Sequence, residues 1–191
     1  QDATSAQIAA PAAGLIHSRY RIQRLIAKGG MGAVHLVTDT QNPQAARALK
    51  ELSMERVPPE EVAEVVANFR REAQLLQLLA HPNLVKVYDH FSEGGKEYLV
   101  MECVQGQTLE SLAGGRRLDE TEVLSYAFQL CDVLIYLHSQ PQPIIYRDLK
   151  PANIMVETGS GVLKLIDFGI VRFYKPGKHK DTKLLGTPGF A

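Results

Sequence analysis

Between Ile144 and Val156 the chain reads IIYRDLKPANIMV. Arg147, Asp148, Lys150 and Asn153 crowd into this stretch between two apolar runs, with Pro151 in their midst. A proline at that point forbids a long helix or a central strand, so the charged groups lie on a loop. Ile144 and Ile145 before it, and Ile154, Met155 and Val156 after it, pin that loop to a core. The chain must therefore build a buried frame around a polar bend. With 191 residues, 45% apolar and 22% charged, it has the means to do so. On such a frame Asp148 can serve as a base, Lys150 as an electrostatic clamp and Asn153 as a neutral oxygen ligand. A loop satisfied by its own contacts reads equally well from this segment alone.

The remaining pattern divides in two. Residues 1–17 are rich in Ala, Ser and Gln, show no period and read as a linker or arm. Strand-like alternation follows in YRIQRLIA, AVHLVTDT and ARALKEL, then a helix in PPEEVAEVVANFRREAQLLQLLA, opened by prolines and acids. LVKVYDHF and KEYLVMECV are two further strands about the turn SEGG. Past Gly106 the spacing predicts a short helix over 109–113 and a long one beginning at a cap, Asp119. The divisions expected are an arm at 1–18, a strand-rich unit at 19–103 and a helix-led unit at 104–191.

Equal numbers of basic and acidic residues leave no net field to favour nucleic acid or an anionic membrane. No run is apolar enough to span a bilayer. Cys103 and Cys131 cannot make a disulfide framework, and both are expected as buried thiols of a cytoplasmic protein.

Three more features carry chemistry. IAKGGMGAV places Gly29, Gly30 and Gly32 between two strands, where backbone can approach an anion closely; a plain hairpin turn is the alternative. Lys50 ends the strand RALK, and on the following helix Glu72 falls inside the stripe Phe69, Ala73, Leu76, Leu79. A carboxylate facing a core needs a cation, and Lys50 is a suitable one; a helix-rim glutamate reaching water is the competing reading. Asp167 closes the apolar strand LKLI and precedes Phe168 and Gly169, as at a magnesium site or a simple strand-ending turn.

Taken in order, a glycine-rich loop, a strand lysine, a helix glutamate, R-D-x-x-x-x-N and D-F-G resemble the eukaryotic-type serine/threonine protein kinases, most closely the bacterial ones. The resemblance covers residues 19–191. It implies a bilobal α+β fold, with a small β-rich lobe bearing one main helix and an incomplete, mainly helical second lobe. It implies ATP and Mg²⁺ as cofactors and transfer of the γ-phosphoryl group to Ser/Thr hydroxyls of a protein substrate. Gly29, Gly30, Met31 and Gly32 would cover the phosphates, with Ile26 and Val34 as an apolar lid. Lys50 would hold the α/β-phosphates, with Glu72 as its partner on the helix. Met101, the Glu102 carbonyl and the Val104 backbone would line the adenine site, with Ala48 and Met155 on either side of the base. Asp148 would be the catalytic base, Lys150 the neutralising cation, and Asn153 and Asp167 the metal ligands. RDLKPAN and GTPGF, with Thr187, point to serine/threonine acceptors. Arg147 implies control by phosphorylation, with Thr182 as the autophosphorylation candidate.

Two residues depart from the pattern. Ala27 stands where a glycine is usual, at a cost of roughly 1–2 kcal/mol if the position needs positive φ and little if it is extended. Tyr146 replaces a histidine and is expected to pack against Phe168. The chain also stops at GTPGFA, which reads as a fragment of a longer kinase. Apolar residues all round the long helix then predict exposed apolar surface and marginal stability. A nucleotide-binding scaffold without catalysis, or an inactive kinase fragment, remains the alternative function.

Overall fold

The computed structural model describes residues 14–29, 32–54, 57–146 and 148–167, and the backbone of 171–173. Gly30, Met31, Arg147, Phe168, Thr182 and Thr187 lie outside the described residues. The chain divides into two compact units. The first runs to Ala73 and includes Val87–Cys103; the second comprises Gln74–Lys86 and the chain from Val104.

Six antiparallel strands make the first unit: β1 (Leu15–Ile16), β2 (Tyr20–Gly29), β3 (Gly32–Asp39), β4 (Asn42–Leu52), β5 (Val87–Glu93) and β6 (Lys96–Glu102), in the order β1-β2-β3-β4-β6-β5. β2, β3, β5 and β6 carry β-branched and aromatic residues suited to strands, whereas β4 has none and lies between β3 and β6. Leu15 and Ile16, within the span read as an arm, add the first strand through a turn with His17 and Ser18 at positive φ. Two non-glycine residues in the left-handed region are costly. Stacking of the His17 ring on Phe91 at 4.3 Å and the bond from the His17 amide to Glu93 Oε2 at 2.6 Å offset that cost.

One face of the sheet packs a cluster of Tyr20, Val37, Leu49, Phe91, Tyr98 and Val100, all buried. Arg19 locks its edge with a two-pronged bond to Asp39 at 2.7 and 2.8 Å. Since successive strand residues point to opposite faces, Ala48, Lys50 and Leu52 belong to the other face. The helix α1 (Val62–Leu78) begins in the first unit and ends in the second. Ala73 and Leu76 on its apolar stripe are buried, and Phe69 and Leu79 are half-buried.

The second unit holds β7 (Gly106–Thr108), α2 (Leu109–Gly115), α3 (Glu120–His138), β8 (Ile144–Tyr146), a 3₁₀ turn (Pro151–Asn153), β9 (Ile154–Glu157), β10 (Leu163–Leu165) and β11 (Val171–Phe173). β9 lies between β10 and β7, and β11 pairs with β8. α3 starts at a complete capping box: the Asp119 side chain accepts from the Glu122 amide, and the Glu122 carboxylate accepts from the Asp119 amide. Val133 and Leu137 bury its inner stripe. Val123, Leu124, Phe128 and Ile135 are exposed, Phe128 to 72%. The apolar exposure expected of this helix is therefore present.

The expectation of two buried thiols is corrected here. Cys103 is half-buried, and burial pushes its pKa up, but Cys131 lies exposed on α3. It falls outside the stripe that Val133 and Leu137 define, so apolar neighbours in sequence do not bury it.

Candidate active site

In the first unit, cross-strand register sets the positions. Lys50 sits opposite Val34 on β3 and Leu99 on β6. Ala48 sits opposite Leu36 and Met101, and both Ala48 and Met101 are buried. Glu102 ends β6 opposite Arg47, and after Cys103 the chain re-enters the second unit at Val104. Ile26 is exposed on β2, and Val34 is half-buried on β3.

The glycines of the loop differ in what they do. Gly32 has φ +132°, and a Cβ there would come 1.8 Å from the Glu51 carbonyl oxygen. Its first task is thus a close backbone approach to β4. Gly29, paired with Gly32, would accept a Cβ into open space. Ala27 lies in extended backbone opposite Val34, so alanine costs little there.

Glu72 rides α1, and a neighbouring residue reports which face of the sheet the helix covers. Arg70 bonds Glu97 on β6 at 2.7 and 3.1 Å. Glu97 pairs with Leu52, and Lys50 pairs with Leu99, two residues along each strand. By alternation Glu97 and Lys50 share a face, so α1 lies over the face that carries Lys50.

In the second unit the polar bend is held as its sequence required. Ile144, Tyr146, Ile154 and Val156 are buried at its two ends. Asn153, also buried, donates its amide to Asp148 twice, to Oδ2 at 2.8 Å and to the backbone oxygen at 2.9 Å. Lys150 Nζ meets the same Oδ2 at 2.8 Å. Asp148, Lys150 and Asn153 therefore form one cluster, tightened by a bond from the Asn153 amide to the Lys150 carbonyl. Met155 follows at the middle of β9, opposite Lys164 and Thr108.

Asp167 is tied to this cluster from two sides. The Ile166 amide donates to the Asn153 carbonyl at 3.1 Å, and the Tyr146 hydroxyl donates to the Asp167 carbonyl. The donor set suits a hard cation: a carboxylate at 167 and a carboxamide whose NH₂ is committed to Asp148, leaving its oxygen as the ligand atom. Magnesium takes few protein oxygens when phosphate supplies others. The described residues hold no group of three or more His, Cys, Asp or Glu of the kind that encloses a metal by protein alone.

Sequence reasoning passed over two supports of this site. The Tyr146 hydroxyl makes a bond as well as filling space, a signal available in the rule that a buried tyrosine finds a partner. Asn83 is the other. Its buried side-chain amide donates to the Leu163 carbonyl and to Gln129 Oε1, both at 2.8 Å, and its backbone carbonyl accepts from the Leu165 amide. The strand that leads to Asp167 is thereby fastened to α3 and to the segment after α1.

The family model for the protein kinase domain matches residues 20–191. Serine/threonine-protein kinase C of Synechocystis sp. is 35% identical over 92% of this chain and 34% of its own length. PrkC of Bacillus subtilis, a serine/threonine-protein kinase, is 36% identical over 81% of this chain and 23% of its own. The human serine/threonine-protein kinase STK11 is 34% identical over 90% of this chain and 40% of its own. The chain thus spans less than half the length of these curated relatives. By the extent of that match, and by the α+β architecture that carries it, the chain belongs to the protein kinase domain family, among relatives of the serine/threonine group.

Proposed function

We propose that the protein is a serine/threonine protein kinase that moves the γ-phosphoryl group of ATP to a hydroxyl of a protein substrate. The observation that carries this reading is the cluster at the bend: Asp148 gripped by Lys150 and Asn153, with Asp167 stitched alongside. A buried frame that gathers two carboxylates, a cation and a carboxamide fits chemistry in which positioning and charge neutralisation supply most of the acceleration.

In this reading the substrate oxygen bonds to the γ-phosphorus as the bond from that phosphorus to the ADP oxygen breaks. Asp148 orients the hydroxyl and takes its proton. Lys150 offsets charge on the transferring group. Lys50, steadied by Glu72, holds the α/β-phosphates, and Gly29 and Gly32 shape the loop that covers them. Ala48, Met101, Glu102 and Val104 take the adenine. Asn153 and Asp167 hold Mg²⁺, which when bound neutralises phosphate charge. Cys103 and Cys131 form no disulfide, and no described helix is long and apolar enough to cross a membrane; both fit a kinase domain working in the cytoplasm.

The test is phosphate transfer from labelled ATP to a generic basic protein by the full-length gene product and its Asp148→Asn variant. The wild type is expected to transfer, with phosphate also found on its own Thr182 by mass spectrometry. Asp148→Asn is expected to lose about 10²–10⁴-fold of the rate, the usual worth of a positioned base. Transfer that survives the substitution would remove the assigned base. ATP binding by both proteins with transfer by neither would favour the scaffold reading.

A further inference from the structure

Arg70, Glu97 and Ser92 form a clasp that the phosphoryl-transfer residues leave unused. Arg70 Nε and Nη2 reach the two Glu97 oxygens at 3.1 and 2.7 Å, Nη2 also reaches Ser92 Oγ at 2.8 Å, and that hydroxyl donates to Glu97 Oε1 at 2.7 Å. Every member thus meets both others. The Glu97 side chain is only 6% exposed, whereas Arg70 is half in solvent. A buried carboxylate on the face of a sheet is costly unless it meets a cation, and here α1 brings that cation. Arg–carboxylate forks fix orientation as well as distance.

The position on the helix gives the clasp its meaning. Residues 70 and 72 are about 200° apart around the axis, with Glu72 at one edge of the buried stripe beside Leu76 and Arg70 beyond the opposite edge, past Ala73. Arg70 is anchored to the sheet on one flank, and Glu72 projects from the other. Ala73, on the stripe between them, is small and buried. A roll that lifts Glu72 from the Lys50-bearing face is the motion that the Arg70 fork resists, because it would drag a bidentate bond out of register.

We propose that Arg70 and Glu97 are positioning residues, which hold α1 at the roll angle that presents Glu72 to the Lys50-bearing face. This rests on the kinase reading, in which Lys50 and Glu72 act together on ATP. The clasp touches neither nucleotide nor substrate, and it acts only through Glu72.

That dependence defines the experiment, a double-mutant cycle in the full-length gene product. Arg70→Gln is expected to lower kcat/KM for ATP roughly tenfold, and Arg70→Lys, which keeps the charge but not the two-pronged fork, to restore only part of it. In a Glu72→Gln background the further loss from Arg70→Gln is expected to be under about twofold. Amide hydrogen exchange over 62–78 is expected to quicken in Arg70→Gln while exchange over 120–138 stays at the wild-type rate. If Arg70→Gln proves too unstable to assay, Ser92→Ala, which spares the ion pair, is expected to give a smaller loss in the same direction. Equal losses from Arg70→Gln with and without Glu72 would overturn the inference and leave the kinase reading intact, as would unchanged kcat/KM. A wild type that transfers no phosphate would overturn the kinase reading, and this inference with it.

Discussion

Gly32 is the residue at which one added methyl group is felt most. Its φ of +132° and the Glu51 oxygen 1.8 Å from a Cβ forbid a side chain on two separate grounds. Gly32→Ala is therefore expected to destabilise by at least about 1–3 kcal/mol, measured by denaturant unfolding. Gly29→Ala, with open space around its Cβ, is expected to leave unfolding unchanged while raising KM for ATP. A fall in stability at Gly29 would instead mark it as a structural glycine. As the first and last residues of GGMG the two look alike, and only the proximity of β4 separates them. Tyr146 shows the same limit. Its departure from histidine was visible in the sequence, but the bond from its hydroxyl to the Asp167 carbonyl needed the chain folded back on itself.

Among the elements, α3 was the most legible. Asp119 and Glu122 spell a capping box, and the helix begins at the next residue after Asp119. Asp119→Ala is expected to lower stability by about 0.5–2 kcal/mol, read as a lower melting temperature, since it frees the Glu122 amide. Glu122 itself is held at a pKa of about 2 by the Arg116 guanidinium and the Asp119 amide. The strands were legible from alternation, and Leu49, Val100 and Leu165 are buried within them. The short strand β1 was not, because two residues show no period; the docking of His17 on Phe91 decides it.

At the scale of the whole molecule, two carboxylates tie distant segments together and make stability depend on pH. The Arg19 fork holds Asp39 below the ordinary carboxylate range, against burial. Burial pushes Glu97 up, but the Arg70 guanidinium and Ser92 hydroxyl outweigh it, and its pKa also ends low. Lowered folded-state values contribute stability in full above the unfolded pKa and lose it as pH falls through the folded one. The melting temperature is thus expected to drop as pH falls from about 5 to 3. Asp39→Asn is expected to melt lower at neutral pH and to lose part of that slope. A slope unchanged in Asp39→Asn would assign the acid sensitivity to other carboxylates.

What the sequence by itself determined is local. Alternation, a cap, a proline in a charged bend and the ordered motifs establish the elements, the family and the residues around Asp148, because each depends on neighbours within a turn or a strand. The tertiary structure decided what depends on approach between segments far apart in the chain. It alone assigns Gly32 to the Glu51 backbone, the Tyr146 hydroxyl to Asp167, Asn83 to β10 and Arg70 to Glu97. Hydrogen bonds and steric contacts act over a few ångströms, and their partners are set by how the chain returns on itself, which no periodicity encodes.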